Sequence, residues 1–265
     1  MESLVAAAAA GVEPFPAVDK CDASGRGSHA VAADLDGTLL RSRSAFPYYA
    51  LVAFEAGGWP RLLILLLVAP VATLLEKAVS QAAAVRVLVF AATVGARVSS
   101  IESAARAVLP RFYAADVHPG AWRVFSACSG RRVVLTATPR LMAEPFLKEC
   151  LGADAVAGTE LATWYGRATG MVDPRRGVLV GGRKAEALRE IFGDDDDVPD
   201  VGLGDRRSDY PFMCLCKVSY CTILAVTITY CNQLSRLQFF IASVLIPVTT
   251  FQYLGTWLID ENGYT

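Results

Sequence analysis

The ten residues VAADLDGTLL, 31–40, constrain this chain more than any other stretch. A short apolar run stops at two aspartates, Asp34 and Asp36, and Gly37-Thr38 follows. Carboxylates cost free energy to bury without partners, and two so close repel unless positive charge stands beside them. The stretch therefore reads as a strand end that delivers negative charge to a site. The question is what neutralises it.

The rest of the chain supplies the surroundings. Residues 30–33 read as a short buried strand, and RRVVLTATP at 131–139 as a second that runs into a loop. Residues 153–157 and 200–203 predict a third and a fourth, the last ending at Gly204-Asp205. Helical spacing covers residues 141–151, stopping at Gly152, and residues 184–192, closed by Gly193. Residues 163–172 predict a hairpin with Gly166 or Gly170 at its turn, and the acidic run 194–197 a solvated loop. Strand alternating with helix predicts an α/β fold, a Rossmann-like parallel sheet with helices on both faces.

In such a sheet, ligands bind beyond the carboxyl ends of the strands. Those ends carry Asp34 and Asp36, Thr136, and Asp205 with Asp209, and Lys184 at a predicted helix start reaches the same rim. Four carboxylates, an ammonium and a hydroxyl suit a divalent cation and a phosphate, and magnesium prefers such hard oxygen donors. The cation would keep Asp34, Asp205 and Asp209 ionised. An ionised Asp34 can attack phosphorus. Asp36 can protonate the leaving oxygen and later activate water. Lys184 and Thr136 would hold the transferring phosphoryl oxygens. Each residue taken singly has an ordinary structural reading. The set, in order, carries the assignment.

Composition raises a second question. Apolar residues make up 54% of the 265 positions and mean hydropathy is +0.38, high for a soluble enzyme. Residues 45–127 read as mostly helical. LLILLLVAPVATLL, 62–75, holds no charge, but a spanning helix needs about 20 apolar residues and Pro70 interrupts this one. It suits an interfacial or re-entrant segment, or a buried core helix. With a second apolar segment at 85–95, weakened by Arg86, it predicts a helical hairpin lying on or in a bilayer. Net charge of −1 gives no nucleic-acid footprint. The cysteines, seven in number with no paired C-x-x-C, read as buried or incidental thiols rather than a disulfide framework or a zinc site. Residues 1–28 read as an irregular leader without the basic start of a secretory signal. After Lys217 the character changes: between residues 218 and 259 the sole charged side chain is Arg236. Residues 237–259 are long enough to span a bilayer, although Gln238, Pro247 and Gln252 weaken them.

DLDGT at 34–38, the apolar strand ending in Thr136, Lys184, and GDRRSD at 204–209 resemble the four motifs of the haloacid dehalogenase-like hydrolases. A D-x-D-G-T match arises by chance about once in six hundred chains of this length, and three further motifs follow in order. The resemblance implies a phosphoaspartate mechanism with Mg2+, to which the Asp36 backbone carbonyl also contributes, and a helical cap, here 45–127. SHAVAADLDGTLLRSRSAFPYYALVAFEAGG, VVLTATPRLMAEPFL and GLGDRRSDYPFM further resemble the amino-terminal half of land-plant glycerol-3-phosphate 2-O-acyltransferases, the group tied to cutin and suberin. That resemblance covers about residues 14–217. It implies a phosphatase that removes phosphate from 2-acyl lysophosphatidic acid to leave 2-monoacylglycerol, at the endoplasmic reticulum membrane with a cytosolic active site. The family's acyltransferase half, with its His-x-x-x-x-Asp motif, should follow Lys217. The one match to that spacing runs from His29 to Asp34, at the wrong end of the chain. Acyl transfer by this chain alone is not expected. A domain at 29–217 followed by an apolar tail at 218–265 is. The tail reads as a truncated or mis-spliced ending, with a membrane anchor, or a non-catalytic membrane-associated fragment, as the alternatives.

Overall fold

A computed structural model describes residues 15–193 and 198–222. Its centre is one parallel sheet of strands β1 (Ala30–Asp34), β2 (Arg131–Pro139), β3 (Ala155–Thr159), β6 (Val201–Gly204) and β7 (Val218–Cys221), in the order β3-β2-β1-β6-β7. β1 lies in the middle, paired from Ala30↔Arg131 to Asp34↔Leu135 on one side and from Val31↔Val201 to Ala33↔Leu203 on the other. A strand enclosed on both edges and both faces needs small apolar side chains throughout, which is why AVAA precedes the aspartate rather than an alternating pattern. Ala32, Val133, Leu135, Leu188, Phe212 and Met213 pack into a buried core cluster.

Helices α1 (Phe46–Ala78), α2 (Gln81–Thr93), α3 (Val98–Ala107), α4 (Leu109–Asp116) and α5 (Pro119–Ala127) fill the insertion between β1 and β2. α6 (Arg140–Glu149) follows β2, β4 (Leu161–Trp164) and β5 (Arg167–Val172) form a separate antiparallel hairpin, α7 (Gly182–Phe192) leads to β6, and the short α8 (Tyr210–Met213) precedes β7. The hairpin turns at Tyr165-Gly166, both at positive φ, the first of the two expected positions.

α1 is two helical stretches joined at Gly58, whose backbone is not helical. The two halves have different surroundings. Tyr48 to Ala53 are buried, whereas Leu63, Ile64, Leu67, Val71 and Leu74 are more than half exposed. Residues 62–75 are thus neither a buried core helix nor an isolated short segment. Within a helix long and apolar enough to cross a membrane, 17% of the most apolar window is buried. Two residues separate α1 from α2, with the Ser80 hydroxyl accepting the Ala83 N–H at 3.2 Å as the α2 cap, and the expected helical hairpin forms.

Two boundaries differ from expectation. The sheet does not stop at Lys217: Val218–Cys221 is its fifth strand, parallel to β6 through Val201↔Val218 to Gly204↔Cys221. The apolar run VSYC was assigned to the tail because nothing local separates an edge strand from the hydrophobic sequence after it. The leader is not irregular throughout either. Ala17 bridges to Cys221, a 3-10 turn covers Val18–Lys20, and Phe15 packs edge-on against Tyr210 at 5.3 Å. Residues 1–14, the acidic run 194–197 and the apolar span 237–259 lie outside the described residues.

Asp200 ties the near ends of three strands. It accepts the Ala30 N–H at 2.8 Å and the Lys217 ammonium at 2.9 Å. Burial alone would raise its pKa, but Lys217 and the Ala30 N–H outweigh burial and hold it below the usual value. A depressed carboxylate stabilises the fold above its unfolded pKa, and the contribution is lost as pH falls through the folded value. Asp200→Ala should cost about 1–3 kcal/mol at pH 7 in urea unfolding. Its deficit relative to the parent chain should shrink below roughly pH 4.

Candidate active site

The carboxyl ends of β1, β2 and β6 meet at one rim, as parallel topology requires. Asp34 ends β1, and the loop after β6 carries Asp205 and Asp209. Lys184, in the first turn of α7, is buried between them: its ammonium donates to Asp34 Oδ1 at 2.6 Å and to Asp209 Oδ1 at 2.7 Å. Side chains 150 and 25 positions apart in sequence are thereby joined. Ligand atoms of Asp34, Asp205 and Asp209 all lie within 4.8 Å of one another, the one such metal-capable cluster among the described residues.

One ammonium reaches two of these three buried carboxylates, and Asp205 is faced instead by Arg43 at 2.9 Å and Arg206 at 3.7 Å, the latter shared with Glu76. Burial drives Asp34 well above its ordinary pKa despite Lys184, and the neighbouring aspartates add to the shift. Burial likewise pushes Asp205 up to about 7 against the opposing pull of Arg206 and Arg43. Lys184 is raised as well: burial would lower it, but its two aspartates overcome burial and keep it charged. Burial still favours the protonated carboxyls of Asp34 and Asp205 over these partners, and a divalent cation would favour the ionised forms.

The donor set has room for that cation. Neither carboxylate oxygen of Asp205 has a hydrogen-bond partner. Arg43 Nε stands 2.9 Å from Asp205 Oδ2 as an ion pair without hydrogen-bond alignment. Asp209 belongs to the same cluster but is already engaged, its Oδ2 accepting the N–H groups of Asp205 and Arg206 at 3.2 and 3.1 Å. Its two oxygens thus position Lys184 and the loop. Gly37, at φ +88°, passes so close that a Cβ there would sit 2.3 Å from Asp205 Oδ2. Only glycine combines that φ with that approach.

Asp36 lies one turn of chain further out, partly buried. Its Oδ2 accepts the Thr138 hydroxyl at 2.7 Å and the Thr136 hydroxyl at a longer 3.4 Å, while Oδ1 has no partner. Burial raises its pKa, and the Thr138 hydrogen bond opposes this. Thr136 is fully buried, and its oxygen also accepts the Thr138 N–H at 3.0 Å. Thr138 was not foreseen. Period-two alternation along a strand continuing to Pro139 puts it on the same face as Thr136, a signal hidden by treating Thr136 as the strand's last chemical residue.

Arg206 was also missed, although it sits inside GDRRSD. It pairs with Glu76 of α1 at 2.8 Å, stands 3.7 Å from Asp205, and donates to the Arg43 carbonyl, joining the α1–α2 hairpin to the charged loop. A small cavity of about 50 Å³ opens between Asp36, Thr138, Arg43 and Arg206 on the sheet side and Tyr49, Ala84, Val85 and Leu88 on the helix side. A larger recess of about 650 Å³ lies outside β3, among Arg140, Glu160, Arg183 and Glu190, and contains none of the clustered aspartates. The small cavity borders Asp36 and Arg206 beside the cluster, although Asp34, Asp205 and Asp209 do not line it either. Gly37→Ala should displace Asp205 and lower stability by more than about 1 kcal/mol, read as a fall in the thermal midpoint.

A family model described as "Glycerol-3-phosphate acyltransferase RAM2-like, HAD-like domain" matches residues 30–222, which include β7. The chain is 59% identical over 186 residues to glycerol-3-phosphate acyltransferase RAM2 of Petunia hybrida, covering 70% of this chain and 38% of that protein. It is 34% identical over 199 residues to glycerol-3-phosphate acyltransferase 1 of Arabidopsis thaliana, covering 71% of this chain and 33% of that one. The chain therefore spans about a third of the length of these curated relatives. Among solved structures, a probable phosphoserine phosphatase from Vibrio cholerae superposes with a TM-score of 0.50 at 16% identity, over 77% of this chain and 57% of that one, a likeness of fold. On the family match and the petunia identity, this chain belongs to the RAM2-like glycerol-3-phosphate acyltransferases, and residues 30–222 are its haloacid dehalogenase-like domain.

Proposed function

We propose that this domain is a magnesium-dependent phosphomonoesterase that removes phosphate from 2-acyl lysophosphatidic acid, leaving 2-monoacylglycerol for a cutin-type lipid polyester. One observation carries the reading: Lys184 is buried between Asp34 and Asp209, while Asp205 beside them keeps both oxygens without a hydrogen-bond donor. The ion pair of Lys184 with Asp34 and Asp209 does not need Asp205, which faces Arg43 and Arg206 without an aligned hydrogen bond. A phosphate site with a cation needs it.

The side chains of Asp34 and Asp205 and the carbonyl of Asp36 would hold Mg2+, with Asp209 alongside. When bound, the ion offsets the crowded negative charge and polarises a phosphoryl oxygen. Lys184 and the Thr38 hydroxyl, 3.4 Å from Asp34 Oδ2, fix the Asp34 carboxylate at the strand end. Asp34 attacks phosphorus and forms an aspartyl-phosphate as the ester oxygen departs. Asp36, gripped at Oδ2 by Thr138, has Oδ1 free to protonate that oxygen. As a carboxylate it then takes a proton from the water that hydrolyses the intermediate. Lys184 supplies the fixed positive charge near the transferring group, and Thr136 orders the Asp36 side of the site.

The lipid part of the reading rests on the uncovered half of α1. Exposed Leu63, Ile64, Leu67, Val71 and Leu74 form an apolar surface beside the cavity-lining helices. Such a surface suits contact with a bilayer and a substrate drawn from it. We place the domain on the endoplasmic reticulum membrane with its site in the cytosol, as the family resemblance implies.

Asp34→Asn should abolish phosphate release from lysophosphatidic acid, and wild-type turnover in that variant would remove the nucleophile assignment. Asp36→Asn should slow release by about 10²–10⁴-fold. Magnesium should raise the thermal midpoint of the parent chain by an amount matching roughly 2.7 kcal/mol at a hundred times its dissociation constant. Asp205→Asn should lose that stabilisation, a readout independent of turnover.

A further inference from the structure

Among the described residues, two buried hydroxyls have no hydrogen-bond partner, those of Tyr49 and Tyr113. They differ in placement. Tyr113 is enclosed by rings, its own 4.1 Å from Tyr48 and 5.1 Å from Phe146, and does not line a described cavity. Tyr49, 1% exposed on the covered half of α1, lines the small cavity with Asp36 and Thr138. The adjacent Tyr48 shows what a satisfied hydroxyl looks like here, donating to Asp116 at 2.6 Å.

An unpaired buried hydroxyl costs stability that phenylalanine, of the same shape, would not. The cost is offset if a ligand oxygen completes the bond. Burial and the Asp36 carboxylate both raise the Tyr49 pKa, so the group stays a neutral donor. Its position beyond Asp36, away from Asp34 and Lys184, is the leaving-group side of a bound phosphoester. Asp36 Oδ1, also unpartnered, would meet the ester oxygen, and Tyr49 the free hydroxyl at the far end of the leaving group's glycerol unit. A cavity of about 50 Å³ accepts a few waters or a small polar fragment, not an acyl chain.

We infer that Tyr49 is a specificity-determining residue, its hydroxyl binding the free hydroxyl of a glycerol-type leaving group and selecting polyol phosphates over plain alkyl phosphates. The inference rests on the phosphatase reading for its kinetic arm. Its binding arm does not.

The test compares glycerol 3-phosphate with propyl phosphate, which has the same three carbons and no further oxygen. The parent chain should favour glycerol 3-phosphate, and Tyr49→Phe should reduce the ratio of the two kcat/KM values by about tenfold or more. The thermal midpoint of Tyr49→Phe should hold or rise. Tyr113→Phe, which removes the other orphan hydroxyl, should leave the ratio where it was. In an Asp34→Asn background with magnesium, glycerol 3-phosphate should raise the midpoint of the Tyr49 protein more than that of its Tyr49→Phe version. Propyl phosphate should not distinguish them. An unchanged ratio, an equal fall in Tyr113→Phe, or equal stabilisation of the two Asp34→Asn proteins overturns the inference. Absence of turnover in the parent chain removes the phosphatase reading instead and leaves the binding comparison to decide Tyr49.

Discussion

The Lys184 ammonium between Asp34 and Asp209 is the contact on which the site is built. It joins the end of the central strand, the first turn of α7 and the loop after β6 through two charge-assisted hydrogen bonds. Breaking one partner of a buried pair leaves an uncompensated charge, which is why such a contact orders its surroundings strongly while adding little net stability. Asp209 couples the lysine to the loop backbone by accepting two N–H groups. The position of Asp205 follows from that loop, and Gly37 is pressed against it.

The same cluster carries an imbalance. Lys184 serves Asp34 and Asp209, while Asp205 faces Arg43 at 2.9 Å and Arg206 at 3.7 Å without an aligned hydrogen bond. Burial raises Asp34 and Asp205 toward protonation. A fold that needed only stability would be served as well by apolar side chains of similar volume. The arrangement makes physical sense as a cation and phosphate site whose charges are completed on binding.

Around this rim the helical insertion performs two tasks along one helix. The first half of α1 closes the cavity with Tyr49 and is held in the core through Tyr48 and Asp116. The second half, after the break at Gly58, exposes a row of aliphatic side chains. Arg206 and Glu76 tie that second half back to the charged loop. A surface suited to lipid and a site suited to phosphate are thus mechanically connected, as an amphiphilic substrate would require.

The sequence by itself determined the strand ends and their chemistry. An apolar run meeting Asp34, Asp36 and Gly37 is a local pattern, and parallel topology sends Thr136 and Asp205 to the same rim whatever the loops do. It also determined the helical character of residues 45–127, because long runs of alanine and leucine, which favour helix, are a local signal. Only the tertiary structure decided which groups are left unpaired. Tyr48 and Tyr49 are identical letters side by side, yet one finds Asp116 68 positions away and the other faces a cavity. Asp205 and Asp209 look equivalent in GDRRSD, but the loop fills the hydrogen-bonding capacity of one and leaves the other open. The fifth strand was equally hidden, since pairing with β6 depends on an edge that exists only after the sheet has formed. Partner availability is a property of three-dimensional neighbours at hydrogen-bond range, and residue type and spacing do not encode it.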